Sequence, residues 1–221
     1  MASLLLPIIY LAFISLGLPD ALLGAAWPTM YPQLGAQVSW AGGVSMIISA
    51  CTILSALASD RLNERLGTGR VTVISVATTA AALLGFSFCH AFWQLCLWAI
   101  PYGLGAGSVD AALNNYVALH YKSRHMSWLH CMWGVGASLG PVIMGQALAG
   151  SGWQGGYRII GILQVVLTAV LLFSLPLWKL PQDAMGGEPF TPQHRSFPEL
   201  LKITGVPEVL VCFLCYCALE S

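Results

Sequence analysis

The chain has 221 residues, 57% of them apolar and only 8% charged, with a mean hydropathy of +0.75. Soluble domains carry about 25% charge, and nine cations with nine anions cannot coat a soluble surface of this size. Disorder and a soluble globule are excluded, nucleic-acid binding lacks its basic face, and a polytopic helical membrane protein is the class that remains.

At about 20 residues per span plus loops, the length holds six or seven helices. The N-terminus lacks the positive region of a signal peptide, and its apolar run continues too far for one, so Leu4–Tyr31 reads as a retained first span. Trp40–Ser59, Val71–Cys89, Gln94–Tyr121, Met126–Ala149 and Tyr157–Trp178 follow. Backbone groups in lipid must pair within their own segment, so each span is a helix. The first and fourth are long and carry Gly and Pro, and are expected to be tilted or bent. Residues 179–205 hold Pro181, Pro189, Pro192 and Pro198 and read as a cytoplasmic linker. Within it, Phe197–Ile203 suits either a short amphipathic turn on the membrane surface or a mobile tether. Residues 206–221 read as a partial seventh span. Its apolar run, Val206–Glu220, is fifteen residues long, a rise of about 22 Å against a core of about 30 Å.

Lys and Arg set the orientation. Arg61, Arg65, Arg70, Lys122, Arg124, Lys179, Arg195 and Lys202 fall on one side, and only Arg158 on the other. The expectation is a multi-pass protein of the cell (inner) membrane with a cytoplasmic N-terminus. Six of the seven cysteines lie inside apolar runs and the seventh, Cys89, at the end of one, which suits small packing residues. Cys212, Cys215 and Cys217 lack a second ligand pair, so no metal, disulfide framework or cofactor is expected.

Three short matches recur in order. Gly17-x-x-Asp20-Ala21 returns as Gly107-x-x-Asp110-Ala111 ninety residues on, while Ser39-Trp40 returns as Ser127-Trp128 and Arg70 as Arg158, each at eighty-eight. The unit is three spans, so residues 1–178 read as a six-span bundle of two repeats, 1–89 and 90–178. An odd span count turns the second copy upside down, an architecture found in transporters. The repeat places Asp20 sixteen residues from the inner end of its span and Asp110 sixteen from the outer end of its own, so both fall near the midplane.

A carboxylate at that depth costs roughly 2.5–3.5 kcal/mol, and no Lys or Arg lies mid-span to offset it. Either the acids carry a proton in part of a transport cycle, or they are neutral acids bonded to backbone freed by Pro19 and the glycines. Helical phase sets Phe13, Gly17, Asp20, Gly24, Trp27 and Tyr31 on one stripe of the first span. Gly103, Gly107, Asp110 and Asn114 form a second stripe, and His130, Trp133, Gly134, Ala137 and Pro141 a third. Such stripes suit a wet cavity for a polyol. Close packing is the alternative for the glycines, and an interfacial belt for Trp27.

Asp60-Arg61, followed by Leu66-Gly67 and Arg70, resembles the inner-loop signature of the major facilitator superfamily, with Leu62–Arg65 lengthening the gap. The resemblance casts Asp60 and Arg61 as gating residues. Leu18-Pro19-Asp20, the run Gly107–Asn114, and Met126–Ala137 with His130 and Trp133 resemble the superfamily's fucose/glucose:proton symporter family along the whole chain, as its N-terminal half. That resemblance implies proton-driven uptake of a sugar or related small polar solute by alternating access. It gives Asp20 and Asp110 to substrate binding and proton coupling, and Asn114 to sugar contact. His130 and Trp133 stand where the family has polar sugar contacts, and Trp27 joins them from the stripe.

Gly136-x-x-x-Gly140-Pro141 resembles a fifth-span motif of antiporters, so an exporter is the alternative transporter reading. A membrane enzyme is not expected, since no nucleophile elbow, His-x-x-x-His or paired-acid motif is present. Facilitators use two six-span halves, and this length holds one. The expectation is therefore a truncated chain, a non-transporting fragment, or a homodimer in which a second copy stands in for a missing C-terminal half.

Overall fold

The computed structural model describes residues 2–178, 199 and 202–220. Its helices are α1 (Ala2–Gly17), α2 (Leu22–Gln33), α3 (Trp40–Leu66), α4 (Thr68–Ser87), α5 (Phe92–His120), α6 (Ser123–Leu148), α7 (Gly152–Ser174) and α8 (Val206–Glu220), with a 3-10 turn at Leu175–Trp178. No strand occurs among the described residues. The chain divides into two units, residues 1–181 and 182–221. The second contains α8, helical where the partial seventh span is expected. The expected linker, with its amphipathic turn at Phe197–Ile203, lies mostly outside the described residues.

Five helical stretches are long and apolar enough to cross a membrane: Leu4–Gln33, Trp40–Leu66, Thr68–Ser87, Ser123–Leu148 and Gly152–Trp178. The expected fourth span, α5, is not among them, although its 29 residues rise about 43 Å. Gln94, Pro101, Asp110, Asn114 and Asn115 dilute its apolar character. It buries much of its length against α3 and α4, and an enclosed helix tolerates polar groups that lipid would penalise.

The first span is two helices, with a turn at Leu18–Ala21 between them. Pro19 has no N–H to offer the carbonyl of Ser15, four residues back. That carbonyl instead accepts from Gln164 Nε2 of α7 at 2.6 Å, and Gln164 is buried. Gln164 therefore caps the break from across the bundle. Gln164→Leu should leave the Ser15 carbonyl orphaned and cost about 1–3 kcal/mol. Unfolding of the purified protein in mixed micelles measures this.

The second span overruns its expected end. α3 continues seven residues past Ser59 to Leu66, and Gly67 alone turns the chain into α4 at φ +80°. Glycine is the residue that takes this conformation at little cost.

The packing follows the repeat. The second span of each three-span unit lies on the first span of the other: α3 on α5, and α6 on α1. Both crossings rest on glycine. A Cβ on Gly103 would come 2.5 Å from the Ile48 carbonyl oxygen, and one on Gly107 would strike Thr52. In the matching crossing, Gly136 abuts the Ile14 carbonyl, Gly140 the Leu18 carbonyl, and Gly17 the backbone of Trp133. Thr52 Oγ1 bonds the Gly103 carbonyl at 3.2 Å, and Ser55 Oγ bonds Ser108 Oγ and the Leu104 carbonyl.

Two apolar clusters fill the bundle. One gathers Leu22, Met30, Leu95, Trp153 and Ile160 toward the end carrying the 34–39, 88–91 and 149–151 connections. The other gathers Leu5, Ile9, Phe13, Leu113, Leu129 and Leu171 toward the opposite end. Leu16 belongs to one and Leu18 to the other, so the break at Asp20 sits where they meet.

Candidate functional site

Asp20 stands in the turn between α1 and α2, where the helix ladder is already open. Its carboxylate draws two donors from different helices. Trp133 Nε1 of α6 donates to Oδ2 at 2.8 Å, and the Tyr102 hydroxyl of α5 donates to Oδ1 over a long 3.4 Å. Tyr102 is buried, and a buried tyrosine O–H needs such a partner.

Asp110 lies on α5, where Asn114 Nδ2 donates to its Oδ1 at 2.9 Å and to its backbone carbonyl at 3.1 Å. Asp110 lies close enough to act on Asp20 by charge, and His130 close enough to act on Asp110. His130 sets its ring edge-on to Phe13, 6.1 Å between centroids. Asp20, Asp110 and His130 are exposed on this unit, and Asn114 and Trp133 are half-buried. The structure thus brings five of the expected residues together on α5, α6 and the α1–α2 turn.

Trp27 is not with them. It is buried, its indole N–H donates to the Val38 carbonyl at 2.8 Å, and its ring meets Tyr31 and Phe92, each at 6.5 Å. Trp27 therefore packs the end of the bundle, which corrects its expected place on the Asp20 stripe. Asp60 and Arg61 are exposed on the last turns of α3, in helix rather than in a loop. Gly103 and Gly107 are occupied by the α3 crossing. Gly24 and Gly134 face open space.

A cavity of about 310 Å3 opens beside Asp20, between α2 and α3. Pro19, Asp20, Leu23 and Gly24 form one wall, and Ala41, Val44, Ser45, Ile48 and Ser49 another. Leu83, Phe86, Tyr102 and Tyr157 close the back. Its size is at the low end of the range for small-molecule sites. Sequence reasoning gave no role to Tyr102 or Tyr157 and could not place the polar Gln164. A usable signal existed for Tyr102, a tyrosine ten residues inside an apolar helix and beside Pro101. Among the described residues, no cluster of His, Cys, Asp and Glu could hold a metal ion.

No curated protein matches the chain. The sequence profile described as Major Facilitator Superfamily matches residues 9–220. That match takes in all but the first eight residues and the last, so the chain belongs to the Major Facilitator Superfamily, multi-pass membrane proteins that are secondary transporters and not enzymes.

Proposed function

We propose that this transporter moves a sugar or related small polar solute together with protons. Asp20 and Asp110 act as coupling acids, and Asn114, His130 and Trp133 contact the solute. One observation carries the reading. A carboxylate at a helix break has a neutral indole and a phenol as its partners, and a second carboxylate lies within its electrostatic reach. Among the described residues neither acid is paired with a Lys or Arg, so each can hold or lose a proton as its surroundings change. Amide, imidazole and indole groups beside them can bind hydroxyls and cover the C–H face of a ring.

Exposed carboxylates and an imidazole on a membrane face are costly toward lipid. We place a second six-span bundle against this face, such as a further copy of the chain, with the solute held between the two. The N-terminus lies in the cytoplasm of a cell whose inner membrane holds the protein. Asp60 and Arg61 sit at the cytoplasmic end of α3, where they gate the inward opening.

The test is uptake by the purified protein in sealed lipid vesicles, with L-fucose and D-glucose as probes. An imposed pH gradient should drive accumulation of one of them, and a protonophore should collapse it. Accumulation of neither would sink the reading. Trp27 offers a control. Trp27→Phe should cost about 0.5–1.5 kcal/mol of stability through the lost bond to Val38. Affinity for the transported probe should stay within about threefold, read by equilibrium binding.

A further inference from the structure

We infer that the protein has a proton route separate from its solute face, in which Asp20 takes its proton at Oδ1 from water in the cavity between α2 and α3. The inference rests on the coupling role proposed for Asp20 and adds the oxygen, the side and the residues that serve it.

The two oxygens of Asp20 are not equivalent. Oδ2 faces the indole N–H of Trp133. An indole nitrogen only donates, so this partner cannot accept a proton that arrives on Oδ2. Oδ1 faces the Tyr102 hydroxyl. A phenol both donates and accepts. With Asp20 ionised, Tyr102 donates to Oδ1. With Asp20 protonated at Oδ1, the new O–H donates to the Tyr102 oxygen, and the Trp133 bond to Oδ2 is untouched. A proton on Oδ1 thus finds an acceptor in the Tyr102 oxygen, whereas an O–H on Oδ2 finds none in the indole.

Oδ1 also has a supply. Tyr102 lines the cavity, and Ser45, Ser49 and Tyr157 add hydroxyls to its walls. A water occupies about 30 Å3 of liquid and needs two to four polar partners. A cavity of about 310 Å3 with these groups can hold several waters in file. The lining runs along α3 from Ala41 to Ser49, eight residues or about 12 Å of helix. Ala41 is one residue inside the start of α3, so the cavity reaches from the mid-bundle acid toward that end. The transfer balances simply. A hydronium gives its proton to Oδ1, one carboxyl O–H forms, and a water remains. Tyr102 keeps its own proton and is a positioning residue.

The other titratable groups in range are on different walls. Tyr157 is on α7 and lines the same cavity. Asp110 on α5 acts on Asp20 by charge, and His130 on α6 acts on Asp110. The residues of α2, α3 and α4 in the lining have no ionisable side chain. The solute contacts Asn114, His130 and Trp133 are not in the lining either. A proton can therefore reach Asp20 along residues that the solute contacts do not share.

The test uses infrared difference spectroscopy of the whole protein in lipid vesicles after a rapid acid jump, with the proton as the only probe. The parent for this test carries Asp110→Asn, so that the second coupling acid contributes no signal, and it should develop a protonated-carboxyl band that Asp20→Asn removes. Ser49→Cys, blocked after assembly with a bulky neutral methanethiosulfonate, should develop the band at least tenfold more slowly. The full amplitude should return, and a reducing agent should restore the rate. The parent treated with the same reagent controls for native cysteines. Tyr102→Phe should shift the band toward that of an unbonded acid, because Oδ1–H loses its acceptor, while Trp133→Phe should shift it less. An unslowed band in the blocked protein, failure of the reagent to modify S49C, or a larger shift in Trp133→Phe overturns the route. A band that persists in Asp20→Asn instead overturns the coupling role of Asp20 itself.

Discussion

Replacing Asp20 by Asn should reduce proton-driven accumulation of the transported sugar to background while leaving exchange of sugar across the vesicle membrane measurable. An amide carries one acceptor and one donor group. In the Asp20 position, its oxygen can keep the Trp133 bond and its nitrogen can donate to the Tyr102 oxygen, so the site keeps its shape. It therefore imitates the protonated acid and cannot release a proton. A gradient of one pH unit stores about 1.4 kcal/mol per coupled proton, worth about a tenfold concentration ratio. That ratio should fall to about one in Asp20→Asn. Asp110→Asn should do the same, because Asn114 can donate to an amide oxygen at that place as it does to the carboxylate. Vesicle uptake with and without an imposed gradient measures both. Full accumulation in the two single variants would remove the acids from the coupling step.

Much of the helical framework was legible from apolar length alone, because lipid leaves the backbone no other way to pair. A bend in the first span was legible as well, from its Gly and Pro residues, but not its division into two helices at Pro19. Nor was the consequence of that division. Helical phase assumes an unbroken ladder, and the turn at Leu18–Ala21 resets it. Trp27 and Asp20 share a stripe only on a continuous helix, and for that reason Trp27 turned up in the packing at the bundle end. The glycines of α5 illustrate a different limit. Small residues four apart suit a cavity wall or a close crossing equally well, and contact with Ile48 and Thr52 is what decides for the crossing. Gln164 was out of reach for a third reason. Its partner is a carbonyl 149 residues away, exposed by a proline in another helix. Tyr102 was similarly hidden, because its bond to Asp20 crosses between α5 and the α1–α2 turn.

The crossing of α6 on α1 is where a single methyl-sized change should do the most damage. Gly136 and Gly140 lie against the carbonyls of Ile14 and Leu18, and Gly17 lies against the backbone of Trp133 and Ala137. These are contacts of backbone with backbone, so no side chain can rotate away to make room. Gly136→Val must push the helices apart, at a cost of about 1–3 kcal/mol or more. Trp133 lies one turn from Gly136 on α6 and depends on that spacing for its 2.8 Å bond to Asp20. The same substitution should therefore reduce stability and also loosen the acid from its indole. Gly134→Val is the matched control. A Cβ there meets nothing within 4 Å, so the added bulk and the same loss of glycine leave the crossing alone. Thermal unfolding in micelles should separate the two, with Gly136→Val much weaker and Gly134→Val close to the parent. Equal stability of both variants would mean that α6 can shift along α1 without penalty. Asp20 would then not be held by a rigid crossing, and its pairing with Trp133 would be one arrangement among several.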